Sequence, residues 1–431
     1  MVKDVKQILK EAESSLKDKF EQIDDICFIN QKKVLNAFIE FRVSTECFYG
    51  TTGYGYDDVG RDTLAKVYAK VFGGEKAIVS IMISCGTHAI TTALYGLLRR
   101  GDIMLSVTGL PYDTIHETLF GEGNNSLEDN GVVYKQIDLT EDSDFNYDEI
   151  YNFVKDNKPK MVYLQRSRGY SSRKAISPYL MKGLFERIKQ LSPNTFIVVD
   201  NCYGEFVDDI EPTDVGADVI MGSLIKNPGG GLAPTGGYIV GTEKAIDLIS
   251  SRYTNPSLKL ELGSYEMGYR MFYQGLFLSP HVVAQALKGC FLVGKIMEDK
   301  GYKIIPSNDE KPQDIIKSVV FNTEEELIKF VQLVQTVSPV DGYVLPMPWD
   351  MPGYKDKVIM AAGTFVSGAS IEFSCDSPIR KPYIAYFQGG LTYEHIKIFA
   401  EKLIEMYWFA FLTKLSYLYF YWKGWGQPLF N

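Results

Sequence analysis

Positive charge is what this sequence has too little of: 45 lysines and arginines against 54 aspartates and glutamates leave the 431-residue chain at −9, with an isoelectric point near 5.2. A nucleic-acid or anionic-membrane surface calls for clustered Lys and Arg, so the shortage argues against either as the main partner and favours a small metabolite. The six cysteines, at positions 27, 47, 85, 202, 290 and 375, never take CxxC spacing. A chain this long does not depend on a disulfide framework, and the pattern fits a reducing, cytoplasmic setting. Residues 1–20 are charged throughout and lack the apolar stretch of a secretory leader, so the protein is expected to stay where it is made. Internal repeats and low-complexity linkers are missing too. So are oxygen ligands spaced as a metal site, and no metal is expected.

What is present is a large apolar fraction, 45% of residues, enough for two packed domains. From Ala77 onward short apolar runs alternate with helical periods. Ala77–Ile83, Ile103–Val107, Val132–Ile137, Met161–Leu164 and Phe196–Val199 read as strands, and Ala89–Leu98 and Pro178–Leu191 as helices. The expectation is an α/β protein with a largely parallel sheet. Residues 1–60 read as a charged helical arm followed by a segment rich in Gly and Tyr, 61–262 as the large domain, and 263–431 as a smaller mixed domain. Residues 406–422 hold nine aromatics around Lys414. They are expected to form a packed helix on an oligomer surface rather than a membrane-interface helix, because the segment is short for a span.

The run Phe196–Val199 closes on Asp200-Asn201-Cys202-Tyr203-Gly204, and 26 residues after Asp200 comes Lys226, within Gly222-Ser223-Leu224-Ile225-Lys226-Asn227-Pro228-Gly229-Gly230. Singly, Asp200 is an ordinary turn cap and Lys226 an ordinary surface lysine. Together they meet the needs of pyridoxal phosphate: an amine to condense with the aldehyde, a carboxylate beside the pyridine nitrogen, and hydroxyl and backbone N–H groups for the phosphate. A lysine desolvated in that loop should have a lowered pKa. In Ile83-Ser84-Cys85-Gly86-Thr87-His88 a strand runs into a helix whose N-terminus could seat an anion on Gly86 and Thr87. Alone this is a common strand-to-helix turn, and His88 reads as a surface histidine. Tyr112, in the loop after Ile103–Val107, could stack on a cofactor ring.

The ordered set Cys85-Gly86-Thr87, Tyr112, Asp200-Asn201, Ser223 and Lys226 resembles the fold type I pyridoxal-phosphate enzymes of the cystathionine lyase and methionine γ-lyase superfamily. Four longer strings are similar to the bacterial aluminium-resistance family within it: Gly53 to Asp62, Gln165 to Tyr170, Asp200 to Phe206, and Gln388 to His395. The resemblance covers about residues 10–400. It implies a fold type I transferase-like architecture, a large domain with a mainly parallel sheet plus a smaller α+β domain, assembled as a homodimer or homotetramer. It also implies a carbon–sulfur lyase acting on a sulfur amino acid. By the same resemblance Lys226 would form the internal aldimine and shuttle the α-proton, and Asp200 would hold the pyridinium. Tyr112 would stack on the ring, and Cys85, Gly86, Thr87 and Ser223 would bind the phosphate. Tyr54, Tyr56 and Arg61 would reach the neighbouring subunit's phosphate.

Two departures stand out. Ile225 replaces the threonine usual before the lysine, and Glu372 stands where the superfamily places the arginine that binds the substrate carboxylate. Arg380 or Arg168 would then supply that guanidinium. The alternatives are another pyridoxal-phosphate reaction, aminotransfer or γ-replacement, and a non-catalytic protein of this fold linked to metal stress.

Overall fold

The computed structural model describes residues 4–351 and 354–407. All of the aromatic segment 406–422 except Met406 and Tyr407 therefore lies outside the described residues.

The larger sheet is built from β1 (Lys76–Ser80), β2 (Ile103–Ser106), β3 (Val133–Gln136), β4 (Met161–Gln165), β5 (Phe196–Asp200), β6 (Val219–Ser223) and β7 (Gly237–Gly241), in the order β1-β7-β6-β5-β4-β2-β3. Neighbours from β3 to β6 run parallel, and β7 is antiparallel to both β6 and β1. Helices cover both faces, which is why β4 (MVYLQ) and β5 (FIVVD) are continuous apolar runs, buried at every position. Between them lies the helix Pro178–Leu191. Pro178 occupies its first turn, the Ser177 hydroxyl accepts from Tyr179 N, and Met181, Leu184, Phe185 and Ile188 form the buried stripe.

Parallel neighbours bring their carboxyl ends to one edge. Gln165 stands opposite Asp200 in the β4–β5 register, and Asp200 opposite Met221 of β6, two residues before Ser223. The crevice beyond such ends is where α/β sheets bind ligands. The helix Gly86–Leu97 packs across β6 and β7 with its N-terminus at that edge.

The helix Arg270–Asp299 leads into the second sheet. It is long and apolar enough to cross a membrane, yet most of that stretch is buried inside the fold, as in a core helix. The second sheet holds β8 (Lys303–Ile305), β9 (Ile316–Phe321), β10 (Val358–Ala361), β11 (Ser374–Pro378) and β12 (Tyr383–Gln388), antiparallel throughout in the order β10-β11-β12-β9-β8. The N-terminal helices Val5–Ser15 and Lys17–Glu40 pack against Arg270–Asp299. Asn30 ties the second of them to the first sheet, donating to the carbonyls of Phe206 (3.1 Å) and Asp208 (2.9 Å).

Candidate active site

β5 delivers Asp200 to the crevice, where the chain must turn at once. It does so through Tyr203, at φ 72°, a left-handed conformation that a tyrosine adopts only when its surroundings hold it there. The clamp is a buried polar network. Arg166 donates to Asn201 Oδ1 (2.9 Å) and pairs with Asp208 (3.1 Å) and Glu211 (3.4 Å), while Asn201 Nδ2 donates to Glu211 (2.9 Å). Gly204 is required here, because a Cβ would lie 2.5 Å from the Arg166 guanidinium. The result lays the Tyr203 ring under Lys226, whose Nζ is 3.9 Å from the ring centroid. Lys226 follows β6 on a tight turn, with its N–H to Ser223 O at 3.4 Å. Among the described residues its amine has no hydrogen-bond partner.

Lys226, Asp200, Tyr203, Tyr112, Tyr170 and Asp376 line a cavity of about 50 Å³. A larger one, about 460 Å³, shares Tyr112, Gln165, Gly169 and Tyr170 with it. Burial pushes the Asp200 carboxyl up, against Lys226 and a hydrogen bond from Cys202 N (3.1 Å) that hold it down. For Lys226 the expected lowering is reversed. Burial does pull the amine down, but Cys202, Tyr203, Asp200 and Glu205 together raise it above its ordinary value. Desolvation acts against the ammonium and the acidic groups around it act for it.

Gly86 opens the helix Gly86–Leu97, and Cys85, its exposed N-cap, makes no side-chain cap bond. A Cβ on Gly86 would sit 3.3 Å from Cys202 Sγ and 3.5 Å from Ser223 Cβ, so the helix N-terminus adjoins the Lys226 loop. Thr87 shares a hydrogen bond with Thr114 (2.8 Å). His88 is exposed, and its Nδ1 accepts from Ser84 N (3.2 Å), a surface turn. Tyr112 is fixed by Gln165, whose side-chain oxygen accepts its N–H at 2.7 Å, and its hydroxyl meets that of Tyr354.

The remaining expected residues lie elsewhere. Arg168 is buried and spent on the second sheet: it donates to Ile305 O (2.8 Å) and Ile316 O (3.4 Å) and pairs with Asp314 (3.5 Å). Arg380 is half-exposed, pairs with Asp356 (2.9 Å) and lines the larger cavity rather than the one around Lys226. Glu372 does not face the site; its carboxylate accepts from Phe365 N (2.8 Å) and Val366 N (2.9 Å) and pins that loop. Tyr54 and Tyr56 are exposed and stack on each other at 5.4 Å. Arg61 is buried, donating to the carbonyls of Gly55 (2.9 Å) and Gly263 (3.1 Å) of its own chain.

Sequence reasoning missed the roof of the cavity. Asp376, Tyr386 and Gln388 come from β11 and β12, Ile316 from β9, and Tyr170 and Tyr203 from loops after β4 and β5. Gln165 to Tyr170 and Gln388 belong to the strings on which the family resemblance rests, and that was the available signal.

The donor set fits pyridoxal phosphate. It offers an amine without a hydrogen bond, a buried carboxylate holding a single backbone N–H, aromatic faces, and a glycine-opened helix N-terminus beside Ser223.

A family model described as methionine gamma-lyase matches residues 5–408. The uncharacterized protein YnbB of Bacillus subtilis is 47% identical over 396 residues, spanning 91% of this chain and 94% of its own length. The structure of a carbon-sulfur lyase involved in aluminum resistance from Clostridium novyi NT is similar with a TM-score of 0.88 and 47% identity, covering 92% of this chain and 94% of that one. The pyridoxal-5'-phosphate dependent protein YhfS from Escherichia coli, at 14% identity and a TM-score of 0.57 over 90% of this chain and 97% of its own, shares the fold alone.

Proposed function

The chain belongs to the methionine gamma-lyase family, and from that premise we propose that it is a pyridoxal-phosphate-dependent carbon–sulfur lyase acting on a sulfur-containing amino acid, with Lys226 carrying the cofactor. The observation behind this reading is one cavity holding the Lys226 amine and the Asp200 carboxylate, beside the helix N-terminus at Gly86. Bound there, pyridoxal phosphate would supply an electron sink for the pair left on the α-carbon when its proton is removed.

The chain's own groups divide the remaining work. Asp200 would hold a proton on the ring nitrogen. Backbone N–H groups at Gly86 and Thr87, with the Ser223 hydroxyl, would hold the phosphate. Tyr112 would stack against the ring. Lys226, once its amine is free, would take the α-proton. That base must be neutral, a form that desolvation of the buried amine favours, and a ring N–H paired with Asp200 would offset one of the charges that oppose it. The buried walls keep water from the reacting carbon.

The assay is product balance. Cystathionine, cysteine and methionine, with their S-methylated counterparts, are supplied to the holoenzyme, and the sulfur product, ammonia and 2-oxo acid are measured together. The three should rise in equal amounts, and Lys226→Ala should abolish them. Dependence on an added oxo acid without release of sulfur would indicate aminotransfer, and cofactor binding without turnover would indicate a non-catalytic protein.

A further inference from the structure

Asp376 has no part in that scheme. Its carboxylate lies in the same cavity as Lys226, accepting from the Tyr170 hydroxyl (2.5 Å) on one oxygen and from Gln388 Nε2 (3.2 Å) on the other. Both donors are neutral, and Asp376 has no ion pair among the described residues. Aromatic rings gather beside it: Tyr170 lies 5.3 Å from Tyr386, 5.7 Å from Tyr354 and 5.9 Å from Tyr112, centroid to centroid. A buried carboxylate next to several aromatic faces is the chemistry that recognises a cation.

We propose that the leaving-group side of this site is a receptor for a positively charged side chain, and, resting on the lyase reading, that the charge is a sulfonium. Three observations carry it. First, the one lysine amine lining the cavity with Asp376 is that of Lys226, and in the holoenzyme that meets an incoming substrate the cofactor would hold it. A buried carboxylate then lacks a cation, an arrangement that is costly until one is supplied. The substrate's α-amino group is the one that must displace Lys226 at the cofactor, so on entry the charge that answers Asp376 comes from further along the side chain. Second, the three guanidiniums lining the adjoining cavity are engaged elsewhere: Arg168 pairs with Asp314, Arg380 pairs with Asp356, and Arg173 donates to the carbonyls of Lys174, Gln165 and Ser167. Third, the charge balance of the cleavage suits a cation. When the carbon–sulfur bond breaks, both electrons pass to sulfur. A sulfonium leaves as a neutral thioether and needs no proton, whereas an anionic thiolate would form against the Asp376 carboxylate.

The groups facing Asp376 are Lys226, Tyr170, Tyr112, Tyr203, Tyr354 and Tyr386, with Cys375 on its own strand. Burial pushes its carboxyl to about 6, while Tyr170 and Lys226 oppose the rise. A captured cation takes over the part Lys226 plays, and capture should fade as pH drops through about 6.

The test compares methionine with S-methylmethionine, which differ by one methyl and one charge, by calorimetric titration of the holoenzyme. The sulfonium should bind about tenfold more tightly. In Asp376→Asn the ratio should fall to near one with the cofactor spectrum unchanged, and Tyr386→Leu, which removes a ring and no charge, should shrink it several-fold. Equal binding of the two, or a preference that survives in Asp376→Asn, overturns the proposal. Ornithine, carrying a distal ammonium, separates the sources. If it binds as tightly as the sulfonium, the cation receptor stands and the sulfonium assignment falls. A cation preference without carbon–sulfur cleavage upholds the receptor and defeats the lyase reading instead.

Discussion

The two arginines that sequence reasoning offered for the substrate carboxylate separate once their partners are known. Arg168 joins the loop after β4 to β8 and β9, and Arg380 stands half-exposed on the wall of the larger cavity. A substrate carboxylate entering through the larger cavity would have to take Arg380 from Asp356, and in that case Arg380→Lys should raise KM about tenfold or more with kcat little changed, because a lysine cannot reproduce the guanidinium fork. Arg168→Lys should instead lower stability by about 3 kcal/mol, the scale for breaking a buried pair, leaving KM nearly unaltered in the protein that folds. Steady-state kinetics and urea unfolding on both variants check this. Unchanged kinetics in Arg380→Lys would remove it from substrate binding. Glu372 carries the complementary lesson: the acid at the position expected for an arginine departs from the family pattern, and its carboxylate serves two backbone N–H groups.

Among the elements, β2 to β5 were legible to within a residue or two, and the helix Pro178–Leu191 at both ends, because apolar period, a first-turn proline and an N-cap serine all agree there. β6 and β7 were not. Their glycines dilute the strand signal for a tertiary reason: a Cβ on Gly222 would lie 2.8 Å from Glu205 and Tyr238, and one on Gly237 would lie 2.4 Å from Ile83. That Lys226 and Asp200 share a cavity could be expected from the sequence, because an acid closing an apolar run and a lone lysine among glycines together meet the needs of one cofactor. Asp376 could not, because its strand reads Ser-Cys-Asp-Ser-Pro, without alternation, and reaches the site only through a second sheet.

The junction between that sheet and the helix Arg270–Asp299 yields a further prediction. Lys317 of β9 is buried there, 4.0 Å over the Phe291 ring, with its amine unpartnered. Burial, opposed by Cys290, pulls it from 10.5 down to about 7. Between those two values the unfolded chain binds more protons than the folded one, so this group makes stability rise with pH across that window. Lys317→Met should flatten that rise and stabilise the protein near neutral pH by about 1–3 kcal/mol, the scale of an unmet buried polar group. Urea midpoints at pH 7 and pH 9 measure it, and an unaltered difference between the two would refute the assignment.

For the whole molecule, the segment around Tyr54 and Tyr56 is the place to test assembly. Arg61 is bound to carbonyls of its own chain and holds that segment in shape, whereas the two tyrosines are exposed and free to enter a neighbour's site. If each site draws on two chains, mixing inactive Tyr56→Ala with inactive Lys226→Ala should restore activity, since some hybrid sites would carry neither change. No recovery after verified subunit exchange would mean that each chain is self-sufficient. Beneath all of these readings lies the claim that Lys226 carries the cofactor. Borohydride reduction of the yellow holoenzyme, followed by digestion and peptide mass mapping, tests it most directly. The account predicts a pyridoxyl group on the peptide containing Lys226 and its loss in Lys226→Ala; a pyridoxyl group on any other lysine of the wild-type protein would contradict it.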